Sequence, residues 1–251
     1  MKRRIKYPLI VFAAGLVLVG ASGVGATRAA MTYQSNAQSV DFSTASLSVD
    51  LQECQGKDTN GNDKYFTVDG NDTLKFTDIT SSEFHIGQTY NEKVRIVNTS
   101  EQYAEYVRVL IRKSWVNEDG SKNTELNPEM IELPVAEGWV EDVSEETAEG
   151  KVYYYKKPIA AGAAVDFLQT ITVNNEVMSY VTTVKSGSSE PGIKGTITNV
   201  YKYNGESFNV EVRVDAVQAH NAEAALLGAW GLDATVNESG VITSINGAAV
   251  E

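Results

Sequence analysis

From Phe208 to Ala216 the chain reads FNVEVRVDA, so that Phe208, Val210, Val212, Val214 and Ala216 alternate with Asn209, Glu211, Arg213 and Asp215. A period of two puts the apolar set on one face and the charged set on the other, which is the pattern of a half-buried antiparallel strand. Val107, Val109 and Ile111 repeat it against Arg108, Leu110 and Arg112. Strands are expected likewise at 40–51, 64–68, 93–98, 152–156, 165–173 and 177–184, with a hairpin over 234–245 that turns at Glu238-Ser239-Gly240. Asn204-Gly205 is expected to fold 196–203 back onto 208–216, since this dipeptide suits a two-residue hairpin turn.

Helical spacing is scarce. Ala225, Leu226, Ala229 and Trp230 fall on one side of a short helix, with Asn221 as its cap, Glu223 in its first turn and Gly231 to end it. A second turn is expected at Asn127-Pro128-Glu129-Met130-Ile131, with proline at the first helical position. Many short strands, few helices and no Pro-rich linker or repeat predict an all-β fold. The expected form is a two-sheet antiparallel sandwich, jelly-roll or Ig-like, with one or two short helices, as one domain over residues 31–251.

The first thirty residues have a different pattern. Lys2, Arg3, Arg4 and Lys6 precede an uncharged apolar run, Tyr7 to Ala26, and then the small-residue segment TRAAM. This is the layout of an export signal over 1–30, cut after Ala26, Ala29 or Ala30 to leave an N-terminus between Thr27 and Met31. The run is near the length of a membrane span, so a retained anchor is the competing reading; its Gly, Ala and Ser content favours cleavage. The expected location is extracellular, at the cell surface or in a matrix, with membrane contact only before processing by a signal peptidase.

Charge and cysteine narrow the partners. Five of the 21 Lys and Arg residues lie in the signal and none of the 33 Asp and Glu, so the mature chain carries 16 against 33, a net charge of −17. Nucleic acid and anionic membrane are poor partners for such a chain, and self-assembly must overcome its repulsion. Cys54 is the only cysteine, so no intramolecular disulfide is available, and a packed core must hold the fold. The acidic stretch 140–150 is expected to be a solvated loop.

The signal running into small residues is followed by Asp41-Phe42-Ser43-Thr44-Ala45-Ser46-Leu47-Ser48-Val49-Asp50-Leu51. With Val94-Arg95-Ile96-Val97-Asn98-Thr99-Ser100, the block from Tyr106 to Trp115 and the closing 214–222, the layout resembles the TasA/camelysin-like proteins with a SipW-dependent-type signal peptide. The resemblance implies a jelly-roll-like sandwich, a dedicated signal peptidase, and a secreted subunit of biofilm matrix fibres that meets copies of itself or related matrix subunits. It also implies that a freed N-terminal segment can insert as a strand into the next subunit, for which Val40, Phe42, Leu47, Val49 and Leu51 are the candidate donor residues.

Candidate chemistry is sparse. Neither a His-Glu-x-x-His pattern, a Gly-x-Ser-x-Gly elbow nor a phosphate loop is present, and His85 and His220 lie far apart in sequence. His85 is expected to be an outward strand residue and His220 a polar group at the helix entry. No catalytic residue is assigned, and a camelysin-like metallo-endopeptidase ranks third among the readings. No cofactor is expected apart from calcium: Asp58, Asn60, Asn62 and Asp69 match part of a calcium loop, against the alternative of an Asn60-Gly61 hairpin. The second functional reading is a secreted carbohydrate- or surface-binding sandwich with Trp115, Trp139, Tyr153, Tyr154 and Tyr155 as a sugar platform, although aromatics interleaved in strands are more often core and cross-strand packing.

Overall fold

The two alternating runs become neighbouring strands at the centre of one sheet. A computed structural model of the chain describes residues 32–34, 48–68, 73–76, 84–186, 196–203 and 206–250. Numbered along the chain, the first sheet contains β1 (Thr32–Gln34), β5 (Glu105–Val116), β6 (Lys122–Asn123), β8 (Trp139–Glu141), β9 (Gly150–Tyr155) and β13 (Ser207–Gln218). Its order is β1-β13-β5-β9-β8, with β6 on the end of β5. The second sheet contains β2 (Val49–Lys57), β3 (Asp63–Thr67), β4 (Thr89–Asn98), β7 (Ile131–Glu132) and β10 (Ala164–Val173), in the order β3-β2-β4-β10-β7. All pairings are antiparallel, and the two sheets face each other as the expected sandwich.

Between the sheets, Val107, Val109 and Ile111 of β5 and Val210, Val212 and Val214 of β13 meet Val49, Leu51, Val94, Ile96, Phe167 and Ile171. Full burial of one such side chain contributes about 1.5–3 kcal/mol, so this layer carries most of the hydrophobic stabilisation. Trp139 packs edge-on against Phe167 with ring centroids 4.9 Å apart, and Trp115 against Tyr203 at 5.0 Å.

The outer face of the first sheet is covered as well. The helix α1 (Ala222–Trp230) and a small sheet of β14 (Ala234–Val236), β15 (Ile242–Ile245) and β16 (Ala248–Ala249) pack there, burying Tyr106, Tyr154 and Val217 against Leu226, Leu232 and Ile242. That third layer explains why β13 is buried on both faces from Val214 to Val217. Beneath it Asp215, 1% exposed, pairs with Arg108, whose guanidinium lies over the Trp230 ring.

Several expectations change. Residues 196–203 do not pair with β13: β12 (Thr196–Tyr201) pairs with β11 (Val181–Ser186), because β5 and β1 already occupy the two edges of β13. Asn204 and Gly205 lie outside the described residues. Val177, expected in a strand, sits in a 3₁₀ turn, Asn175–Ser179, because the Asn174 side chain accepts the Glu176 N–H and starts a turn there. Asn221 precedes α1 but caps it with no side-chain bond; its backbone is left-handed at φ 53°. Gly231 ends the helix in the same left-handed region, its N–H donating to the Leu227 carbonyl. Asn127 does cap the Pro128–Met130 turn.

The acidic stretch is solvated from Val143 to Ala148, as expected, and is also pinned. Asp142, 3% exposed, accepts from the Ser144 N–H and hydroxyl and from the Asn246 side chain, while Lys151 pairs with both Glu141 and Glu146. Cys54 is half-buried, and its thiol donates to the Gly56 carbonyl.

Candidate assembly interface

The residues just beyond the expected cut lie on a sheet edge. In β1, Thr32, Tyr33 and Gln34 stand opposite Val217, Ala216 and Asp215 of β13. Farther along the same edge, Thr73 bridges Glu211 and the Leu74 N–H donates to the Val210 carbonyl. Between the two contacts, Val212 to Val214 have no strand partner on that edge among the described residues. A short edge strand held by main-chain hydrogen bonds is the kind of element that β-strand addition uses.

Two buried glutamates accept backbone N–H groups from other segments. Glu53 of β2, 1% exposed, accepts the N–H groups of Lys75 and Phe76 at 2.8 and 2.9 Å. It thereby holds the segment that closes the far end of the β13 edge, where Phe76 has the unusual φ of 48°. Glu105, fully buried at the start of β5, accepts the N–H of Ser48 at 3.2 Å. Ser48 is where the N-terminal segment enters β2, and its carbonyl and hydroxyl also accept from Thr99. Burial pushes the Glu105 carboxyl up to about 7, against the opposing hydrogen bonds from Ser48 and Ser100.

The donor candidates divide. Val49 and Leu51 are buried in β2, which is paired on both sides, to β3 and β4. Within a single chain they belong to the core between the sheets. Val40, Phe42 and Leu47 lie outside the described residues, as do the cleavage candidates Ala26, Ala29 and Ala30. The strand that follows the expected cut, 32–34, was not singled out by its sequence pattern.

Asp58, Asn60 and Asn62 come together in the β2–β3 turn. There Asp58 accepts the N–H groups of Asn60 and Asn62 and the Asn62 side-chain amide, bonds that hold its carboxyl below the usual range, while Gly61 takes φ 84°. The hairpin alternative therefore describes the backbone, and Asp69 lies outside the described residues. Asp63, aligned with this turn, is claimed by Lys57 and Lys93, which hold its carboxyl at about 2.

His85 is exposed but lies in the loop before β4 rather than in a strand, its N–H donating to the Tyr90 hydroxyl. His220 is exposed beside the start of α1. Among the described residues no group of three or more His, Cys, Asp or Glu is placed to hold a metal, and no helix is long and apolar enough to cross a membrane. The five aromatics do not share one exposed face: Trp115 and Tyr154 are buried, and Trp139 and Tyr155 pack against each other at a tilt of 54°. Tyr153 lines a cleft.

No family model, curated protein or solved structure matches the chain.

Proposed function

We propose that the processed chain is a secreted subunit of extracellular matrix filaments, joined by an N-terminal strand that leaves its own β13 edge and completes that of the next copy. The observation that carries this reading is the position of β1: residues just after the expected cut form an edge strand with three paired positions among the described residues. Main-chain hydrogen bonds between copies would replace those within a copy, so the exchange costs little in bonding. Before processing, the apolar run keeps the strand at the membrane; cleavage frees it. The mature charge of −17 opposes close packing, and mild acid or added salt relieves it. The layout shared with the TasA/camelysin-like proteins supports the same reading.

Deleting residues 32–40 from the mature protein is expected to leave a folded monomer that no longer polymerises at pH 5 or in raised salt, where the intact mature protein does. Light scattering and electron microscopy follow assembly, and circular dichroism checks the fold. Equal assembly of both forms, or assembly of neither, would count against strand exchange.

A further inference from the structure

Where two sheets pack, the inward positions of a strand are apolar, and β5 breaks that rule at Lys113. Position 113 continues the inward series Val107, Val109 and Ile111. With Thr89, Thr170, Thr172, Glu132, Lys151 and Tyr153 it lines a cleft of about 410 Å³. The cleft exists because the chain from β7 bows away from β10: Glu132 pairs with Thr172 and Val135 with Leu168, leaving Leu133 and Pro134 as an outer wall. The cleft's volume falls in the range of small-molecule sites.

The charges inside are unequal in a telling way. Lys151 is neutralised by Glu141 at 2.8 Å and Glu146 at 2.7 Å. Lys113 has no such partner among the described residues; its ammonium donates to the Ile131 carbonyl at 2.6 Å, and burial pushes it down from its ordinary value. Glu132 accepts from the Asn174 side chain, and Glu141 also takes the Tyr153 hydroxyl. Glu129, Glu132 and Glu141 act on Lys113 from beyond ion-pair distance, and its ammonium, bonded to a carbonyl rather than a carboxylate, keeps donors that a ligand carboxylate can take. The Thr89 and Thr172 hydroxyls are 2.8 Å apart, so one donates to the other and the second keeps its hydrogen for a ligand.

We propose that this cleft binds a small hydroxylated organic carboxylate of uronic-acid size, with the carboxylate on Lys113, hydroxyl groups on Thr89 and Thr172, and its carbon skeleton against Leu133 and Pro134. The site is separate from the β13 edge and stands or falls independently of filament assembly.

The test is an amide NMR titration of the truncated protein lacking residues 1–40, once shown to be folded, or of the mature protein under non-assembling conditions. D-glucuronate is expected to shift the amides of residues 111–113 and 170–172. D-glucose, which lacks the carboxylate, and acetate, which lacks the hydroxyls, bind at least tenfold more weakly. Lys113→Met weakens glucuronate at least tenfold and Thr172→Val weakens it less, while Lys157→Met, an exposed site, changes nothing. Absence of shifts with glucuronate, equal binding by Lys113→Met and Thr172→Val, or an equal response to sodium chloride at the same ionic strength overturns the proposal.

Discussion

Replacing Glu105 by glutamine is expected to stabilise the folded protein by about 3 kcal/mol at pH 8 and to leave it nearly unchanged at pH 4. The carboxyl is fully buried, and its proton affinity rises from an ordinary 4.5 to about 7 on folding. Below pH 4.5 both the folded and unfolded chains hold the proton, and the residue favours neither. Between 4.5 and 7 the unfolded chain releases it while the folded chain keeps it, so stability falls as pH rises. Above 7 the folded state carries an ionised carboxylate in the interior, with one oxygen lacking any hydrogen bond. Glutamine has no proton to lose and escapes the penalty. In a chain of this size the gain corresponds to roughly 6–12 °C in Tm. Asp63, held at about 2 by Lys57 and Lys93, acts in the opposite sense, its contribution being present above its unfolded value and lost as pH falls toward 2. The two windows are separate, so thermal scans at pH 4, 6 and 8 isolate Glu105. An equal Tm change at all three pH values would show that the effect is packing rather than ionisation.

Asp215→Ala is expected to cost about 3–5 kcal/mol, because it strands the Arg108 guanidinium beneath α1. Both partners are shielded there, Asp215 at 1% and Arg108 at 15% side-chain exposure, and the aspartate also faces Arg213 at 3.5 Å. The Trp230 face cannot replace a carboxylate as counter-charge. The double variant Arg108→Met/Asp215→Leu removes both charges and fills the volume, and is expected to recover most of the loss. Denaturant unfolding of the two single variants and the double closes the cycle. A loss below about 1 kcal/mol for Asp215→Ala would place the pair among solvent-screened surface bridges instead.

The same alternation that places Val107 and Val210 in the core also marks the residues that sequence reasoning passed over. Glu53 follows Val49 and Leu51 on the inward side of β2; Glu105 and Lys113 occupy the inward series of β5. A charged residue on an inward position is a signal in its own right, because burial there demands a hydrogen-bond partner or a cleft. Edge occupancy was not legible in this way. Residues 196–201 carry a pattern that suits several neighbours, and only the crowding of β13 by β5 and β1 sends them to β11. Nor does local pattern mark Thr32 to Gln34, three residues whose pairing depends on an edge built from the far end of the chain.

The central claim is that β1 seats itself on another copy. Tyr33 and Ala216 stand directly opposite in antiparallel register, a separation within disulfide reach, and Cys54 is the only native thiol to remove. Mature protein carrying Tyr33→Cys, Ala216→Cys and Cys54→Ser, assembled under reducing conditions and then oxidised, is predicted to run as a ladder of covalent oligomers in denaturing gels. Assembled material that yields only monomers cross-linked within a single chain would contradict it.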